Sequence, residues 1–266
     1  MQGGIVVAPG RLRPRSIART RWFIAYQISS LFALCIASFQ AAAECIDPAT
    51  LTHSTISMTR YFDEEERKAY PGSVGIRGTA WFLSDTSMVT AEHVAAAMTI
   101  SDDDWKQVEI LDGEDRQSVA VRRLSRAGSH AEKIAVLQLQ TPFSAARGLV
   151  LRMQPLAPEE RVVSLAYPGN RLRFASGRFV EYGESDRFKG TALLEMYDGD
   201  DRLVLDHGAS GAPVLDCGGQ VVAIVSNLFT QTLPFPFRTL RISTAWGQPN
   251  VVSVPIQVLQ DFAQAR

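Results

Sequence analysis

Short apolar segments separated by turn residues recur along the chain and predict a fold built from β-strands. Residues 78–83 and 88–91 are apolar and flank the polar segment 84–87, which is the pattern of a β-hairpin. Many short strands with turn signals between them indicate an all-β sandwich or barrel and exclude a helix-rich fold. Further short apolar segments predict strands at residues 108–111, 119–121, 134–139, 161–166, 178–182, 192–196, 213–215 and 219–226.

Two segments depart from the strand pattern. Residues 92–98 follow the hairpin and predict a helical turn that begins at the histidine in position 93. Residues 255–262 have apolar positions at helical spacing, which predicts a short closing helix.

Residues 1–43 have the three-part pattern of a secretory signal peptide. Five arginines and no acidic residue stand at the start, an apolar segment covers 22–40, and three alanines end at Ala43. This pattern predicts cleavage after Ala43 and a periplasmic or secreted protein that is not held in the membrane. The alternative is an uncleaved membrane anchor, because the apolar segment approaches spanning length. Polar residues within it, such as Gln27 and Ser29, favour cleavage.

The charge left after cleavage is mildly acidic. The whole chain has 27 basic and 28 acidic side chains, and loss of the five leader arginines leaves 22 basic ones against 28. No basic patch stands out, so we expect no nucleic-acid partner, and the acidic excess promotes solubility. The acidic segment 198–201 (DGDD) lacks the order of an EF-hand calcium loop and is better interpreted as an exposed turn. We expect no metal and no cofactor.

Two cysteines, Cys45 and Cys217, remain once the leader with Cys35 is removed. Export permits a disulfide between them. The alternative is two unrelated thiols. Both remain open, because the sequence does not give the Cα separation that a bridge requires.

Two short boxes carry the candidate chemistry. The segment 208–213 (GASGAP) places Ser210 between glycines, which exposes the hydroxyl and lets neighbouring N–H groups converge on a reacting carbonyl oxygen. The segment 90–93 (TAEH) places His93 just after an apolar strand, where an imidazole can act as base for that hydroxyl. The other three histidines lack such a context.

The two boxes, in this order, resemble those of the trypsin-like (chymotrypsin-fold) serine proteases, in which a TAxH box precedes a GxSGxP box. The likeness extends over residues 70–262 and is greatest for the bacterial exported type. It implies two six-stranded antiparallel β-barrels, at residues 44–150 and 151–266, with a short C-terminal helix and an active site in the cleft between the barrels. Because the chain stops after the closing helix, we expect no appended peptide-binding PDZ domain.

The resemblance implies a role for each residue of the boxes. Ser210 is the expected nucleophile and His93 the expected general base. The backbone N–H groups of Gly208 and Ser210 are the expected oxyanion hole. Zymogen activation by an ion pair is not expected, because Ala209 stands where that mechanism needs an aspartate.

The resemblance also implies which residues contact a peptide or protein substrate. Val204 falls at the base of the primary specificity pocket, with Ser226 and Asn227 on its wall, so an apolar or small P1 side chain is expected. His207 lines the rim of the cleft, where it either contacts substrate or has no role.

The acid position departs from the family pattern. Where the family has an aspartate that begins a D-I/L-A-V/L-L strand, this chain has Lys133. A lysine cannot accept the imidazole N–H, and its charge opposes imidazolium formation. Glu132 is adjacent, but successive strand side chains face opposite ways, so it turns inward only through a bulge. Residues 102–104 (DDD) would have to fold back, and a solvated loop is the ordinary interpretation for all these acids.

Two functions therefore remain open. The first is an exported serine endopeptidase that works through an acyl-enzyme, which the retention of Ser210, His93 and Gly208 favours. The second is a catalytically weak or silent trypsin-like domain that binds peptides or a partner protein in the same cleft, which Lys133 favours.

Overall fold

Strands dominate the structure, which is a computed structural model. Twelve of the strands close into two β-barrels of six antiparallel strands each. This confirms the fold class that the sequence predicts. The structure describes residues 45–124, 133–184, 189–197, 205, 207–228, 230–232, 239–241 and 248–259.

The first barrel contains β1 (Thr55–Tyr61), β2 (Gly75–Ser84), β3 (Ser87–Ala91), β4 (Lys106–Asp112), β5 (Asp115–Arg123) and β6 (Ile134–Leu139). Its strand order is β1-β2-β3-β6-β5-β4, and pairing of β1 with β4 closes it. The predicted hairpin is the antiparallel pair β2–β3. β3 ends at the residue before the helix that carries His93, so the barrel places this histidine at a strand end.

The second barrel contains β7 (Arg161–Ala166), β8 (Arg173–Tyr182), β9 (Ala192–Tyr197), β10 (Pro213–Asp216), β11 (Val221–Leu228) and β14 (Val251–Pro255). Its order is β10-β11-β14-β9-β8-β7, and β10 pairs with β7 to close it. A separate two-stranded sheet, β12 (Thr230–Thr232) with β13 (Thr239–Arg241), lies between β11 and β14 in the chain. Ser210 precedes β10.

Successive side chains alternate between the two faces of each strand, so neighbouring apolar residues pack in two different cores. Met88 and Leu137 pack in the core of the first barrel. Their neighbours Val89 and Val136 pack in a second cluster together with Leu165 and other residues of the second barrel. Because neighbouring side chains face opposite ways, strands buried on both faces have continuous apolar sequences. The shared cluster holds the two barrels together.

The helices are short. α1 (Glu64–Ala69) lies between β1 and β2, and α2 (Glu92–Ala97) follows β3 directly, where the sequence predicts a helical turn. The predicted closing helix is a 3-10 helix over Ile256–Leu259, and the last part of that prediction, residues 260–262, lies outside the described residues. Within the described residues, no helix has the length and apolar character needed to cross a membrane.

A disulfide joins the N-terminal arm to the second barrel. It links Cys45 to Cys217, which are 172 positions apart in the chain. The N–H of Ile46 donates to the carbonyl of Cys217 at 3.0 Å. Ile46 also packs against Gly219, where a Cβ atom would lie 2.8 Å from Ile46 Cδ1. The arm is therefore held by a covalent bond, a hydrogen bond and an apolar contact at the turn after β10.

Candidate active site

Residues 208–212, called the serine loop below, hold Ser210 in a tight turn before β10. Gly208 and Gly211 have φ angles of +99° and +92°, a backbone region that side-chain-bearing residues rarely adopt. The N–H of Gly211 donates to the carbonyl of Val225 at 2.8 Å. The loop is therefore fixed on β11 at the residue after the serine.

The serine loop lies directly against the first barrel. A Cβ atom at Gly211 would lie 2.1 Å from Thr79 O and 2.4 Å from Thr90 Oγ1, so only glycine fits there. The N–H of Thr79 donates to Ser210 O at 2.9 Å. Thr90 is three residues before His93, which lies in the first turn of α2. The structure thus brings together the two boxes that the sequence analysis selects.

Three N–H groups of the serine loop, those of Gly208, Ala209 and Ser210, donate to no acceptor in the described part of the chain, whereas the N–H of Gly211 donates to Val225 O on β11. The sequence analysis expects the first and the third of them as oxyanion donors. The unpaired N–H of a serine and that of the residue two positions before it can hydrogen-bond to the negative oxygen of a tetrahedral intermediate. The loop can therefore supply the two donors that the sequence analysis expects.

The hydroxyl of Ser210 donates to the carbonyl of Ser226 at 3.2 Å. No hydrogen bond joins Ser210 to His93 among the described residues. A neutral hydrogen bond contributes only about 0.5–1.5 kcal/mol, so turning the hydroxyl away from Ser226 costs little. Hydrogen bonds between catalytic groups are commonly loose in the absence of substrate and shorten when it binds.

His93 is exposed to solvent on one side, yet the protein around the ring removes part of its hydration. This desolvation lowers the pKa of His93 below its ordinary value of 6.5. The imidazole is therefore neutral at pH 7 and able to accept a proton. Within the described residues, neither ring nitrogen of His93 forms a hydrogen bond, so no group there orients the ring.

The acid position holds a cation that points toward the second barrel. Lys133 is exposed, and its Nζ donates to the carbonyl of Lys189 at 3.1 Å. The carbonyl of Lys133 accepts from the N–H of Glu92 at 3.1 Å, so its backbone lies beside the residue before His93. Glu132, the alternative acid, lies outside the described residues.

Glu92, which is half-buried beside His93, is not among the acids that the sequence pattern indicates. Arg123 Nη1 donates to Glu92 Oε1 at 2.7 Å, and the other carboxylate oxygen is buried without a partner in the described residues. Burial raises the pKa of Glu92, and the positive charge of Arg123 opposes that rise. The carboxylate is directed to Arg123. An acidic residue inside a TAxH box is the sequence signal that could have drawn attention to it.

The expected substrate contacts are only partly described. His207 is exposed immediately before the serine loop, and Ser226 is half-buried on β11. Asn227 lies opposite Val252 in the register of β11 and β14. Val204 and the acidic segment 198–201 lie outside the described residues. Among the residues that the structure does describe, no group of three or more His, Cys, Asp or Glu side chains could hold a metal ion.

The sequence matches one known family. The model of the trypsin-like peptidase domain matches residues 78–224, more than half of the chain, and this range includes His93 and Ser210. No curated protein matches the chain by sequence.

Solved structures with the same fold include a bacterial protease in two forms and the protein Deg5. The active form of the Rv3671c protease from M. tuberculosis aligns with a TM-score of 0.54 and 17% identity, over 80% of each chain. Its inactive form aligns with a TM-score of 0.51 and 17% identity, over 82% of this chain and 91% of the other. Deg5 aligns with a TM-score of 0.53 and 14% identity, over 80% of this chain and 88% of its own. At these identities the likeness shows the fold alone.

Proposed function

Because the chain belongs to the trypsin-like peptidase family, we propose that it is an exported serine endopeptidase in which Ser210 is the nucleophile and His93 the general base. Membership makes it a serine protease, a hydrolase whose substrates are peptides or proteins. One observation supports the finer assignment above all others. Gly211 packs on Thr79 and Thr90 so closely that the serine loop lies on the strand leading to His93.

The proposed reaction proceeds in two halves. Ser210 Oγ bonds to the carbonyl carbon of the peptide while His93 takes the hydroxyl proton. The carbonyl oxygen of the peptide becomes negative and accepts hydrogen bonds from the N–H groups of Gly208 and Ser210. The C–N bond then breaks, and His93 returns the proton to the leaving amine. Water attacks the ester by the same route, releases the acid and restores the serine.

In this mechanism no residue is assigned as the triad acid that would orient the imidazole of His93. The lowered pKa of His93 keeps the imidazole neutral and ready to take the serine proton. Lys133 offers no carboxylate to orient the ring, so we propose a slower enzyme than a complete triad would give. Glu132 stays an alternative acid.

We also propose which residues contact the peptide or protein substrate and which side chain they accept at P1. Ser226, Asn227, Val204 and His207 would contact the substrate, with a small or apolar side chain at P1. Nucleic acid is not an expected partner, because the charge left after export is a mild acidic excess.

The second candidate is a silent domain that binds peptides or a partner protein in the same cleft. Two observations favour it: the cation at position 133, and the lack of a hydrogen bond between His93 and Ser210 among the described residues.

An ester substrate separates the two functions. With a p-nitrophenyl ester, we expect a burst of about one nitrophenolate per protein before a slower steady rate, because the acyl-enzyme accumulates. Ser210→Ala should show no burst. If the wild-type protein binds peptides but shows neither burst nor turnover, the silent domain is the correct function.

Export is part of the proposal, and the disulfide supports it because such bonds form in oxidising compartments. We expect the exported protein to begin at Glu44, since the leader would be cut after Ala43. Edman sequencing should read from Glu44, and reduction under denaturing conditions should expose two thiols, those of Cys45 and Cys217. An intact segment 1–43 in the membrane fraction would contradict cleavage.

A further inference from the structure

We propose that Thr79 is a positioning residue of the oxyanion hole: its buried hydroxyl holds the serine loop in the conformation in which the Gly208 and Ser210 N–H groups donate to none of the described residues. The inference rests on the proposed function and extends it to a residue of β2, outside both boxes. Thr79 is completely buried, so its polar groups can bond only to protein atoms around it.

The hydroxyl of Thr79 has one orientation only. The N–H of Tyr167 donates to Thr79 Oγ1 at 3.0 Å, and a backbone N–H cannot accept. The single hydroxyl proton is therefore free to point to Gly208 O, which lies 2.6 Å from Thr79 Oγ1. The side chain thus links β2 to two loops of the second barrel, the serine loop and the turn that begins at Tyr167.

The backbone of Thr79 is equally engaged. Its N–H donates to Ser210 O at 2.9 Å, and its carbonyl accepts from Thr90 Oγ1 at 2.7 Å. Thr79 therefore anchors the carbonyls of Gly208 and Ser210, on both sides of Ala209. The same residue bonds to the strand that leads to His93, so one position connects the nucleophile, the donor loop and the base-bearing strand.

Anchoring these two carbonyls determines where the donor N–H groups point. A peptide unit is planar, so fixing Gly208 O fixes the unit 208–209, and fixing Ser210 O fixes the unit 210–211. The unit 209–210, which carries the Ser210 N–H, lies between the two anchored units. The Gly208 N–H belongs to the unit 207–208, and because Gly208 has a φ of +99° and the wide freedom of glycine, the anchored carbonyl of the same residue is what limits its direction.

The test compares three substitutions of Thr79 in the full chain. Thr79→Val keeps the β-branched shape and removes the hydroxyl, leaving Gly208 O and the Tyr167 N–H unpaired. Thr79→Ser keeps the hydroxyl. Thr79→Cys keeps a weak donor in a similar volume and serves if the valine variant does not fold. Ser164→Ala is the matched control, because it removes another completely buried hydroxyl-to-carbonyl bond, from Ser164 to Pro213 O at 2.8 Å.

We expect kcat on a peptide ester to fall about 10- to 100-fold in Thr79→Val, because a misplacement near 1 Å costs up to about 100-fold and complete loss of a donor costs more. KM should stay close to the wild-type value, because the donors act on the transition state. The kcat of Thr79→Cys should lie between those of the wild type and Thr79→Val, and Thr79→Ser should have a kcat close to that of the wild type. Ser164→Ala should change the melting temperature without lowering kcat.

Each other outcome overturns a stated claim. An active wild type with unchanged kcat in folded Thr79→Val or Thr79→Cys overturns the positioning role alone. A loss of kcat that Thr79→Ser shares, or that Ser164→Ala reproduces, shows a merely structural effect and also overturns it. A wild-type protein without hydrolysis overturns the proposed function, and the positioning role with it.

Discussion

Replacing either Ser210 or His93 with Ala should lower kcat/KM on a peptide ester by about 100- to 100,000-fold, which is the loss known for a complete triad less the part that the missing acid already costs. The double variant should be no slower than the single ones. The serine hydroxyl is a poor nucleophile without a base, and the base has nothing to activate without the serine. The lowered pKa of His93 keeps it neutral at pH 7, which suits it to this role. Steady-state hydrolysis of the three variants measures the effect.

Matched variants show whether the loss is specific. His53→Ala removes an exposed imidazole bonded to Asp112 at 3.1 Å, and Ser164→Ala removes a buried serine hydroxyl. Both should retain hydrolysis. If Ser210→Ala or His93→Ala hydrolyses as fast as these controls, the roles proposed for the two boxes are wrong.

Replacing Lys133 with Asp should raise kcat/KM by about 10- to 10,000-fold, with the known effect of losing the triad aspartate as the upper bound. An aspartate there would accept the imidazole N–H, orient the ring and stabilise the imidazolium. The substitution also removes the bond from Lys133 Nζ to Lys189 O. Lys133→Met is therefore the control, because it removes the cation and the bond but adds no carboxylate.

The pH profile gives this prediction a second measurement. In the wild type, kcat/KM should fall only below pH 6.5, because a proton on His93 blocks base catalysis and desolvation lowers the pKa of His93. A carboxylate at position 133 favours the charged imidazole, so Lys133→Asp should move this acidic limb to higher pH. If Lys133→Asp changes neither rate nor profile while Glu132→Gln abolishes activity, Glu132 is the acid.

The sequence predicts the strands best where the residues on both faces are apolar. β6 and β7 have the predicted bounds, because continuous apolar segments such as 134–137 leave little choice of structure. β1 has no such signal. Ile56 and Met58 lie in the first core, but Ser57 between them is also completely buried, where its hydroxyl donates to Asn170 Oδ1 at 2.7 Å. That partner is 113 positions away, so no local pattern indicates it.

In the site too, features with a local sequence signal are predicted, and features that depend on distant partners are not. The glycines of the GASGAP box indicate a serine in a special turn, because positive φ angles and close contacts require glycine. The sequence does not reveal Thr79, whose role depends on Gly208 and Tyr167 in the other barrel. Nor does it predict that the Lys133 side chain bonds to Lys189, since that contact depends on how two distant turns meet.

The central claim, that Ser210 is an activated nucleophile, is tested most directly by a fluorophosphonate. The reagent forms a covalent bond only with a serine that a base activates and an oxyanion hole supports. After incubation of the folded protein, peptide mass mapping should place one adduct on Ser210, and Ser210→Ala and His93→Ala should remain unlabelled. A folded wild-type protein that takes up no label, or takes it up equally after His93→Ala, would contradict the account.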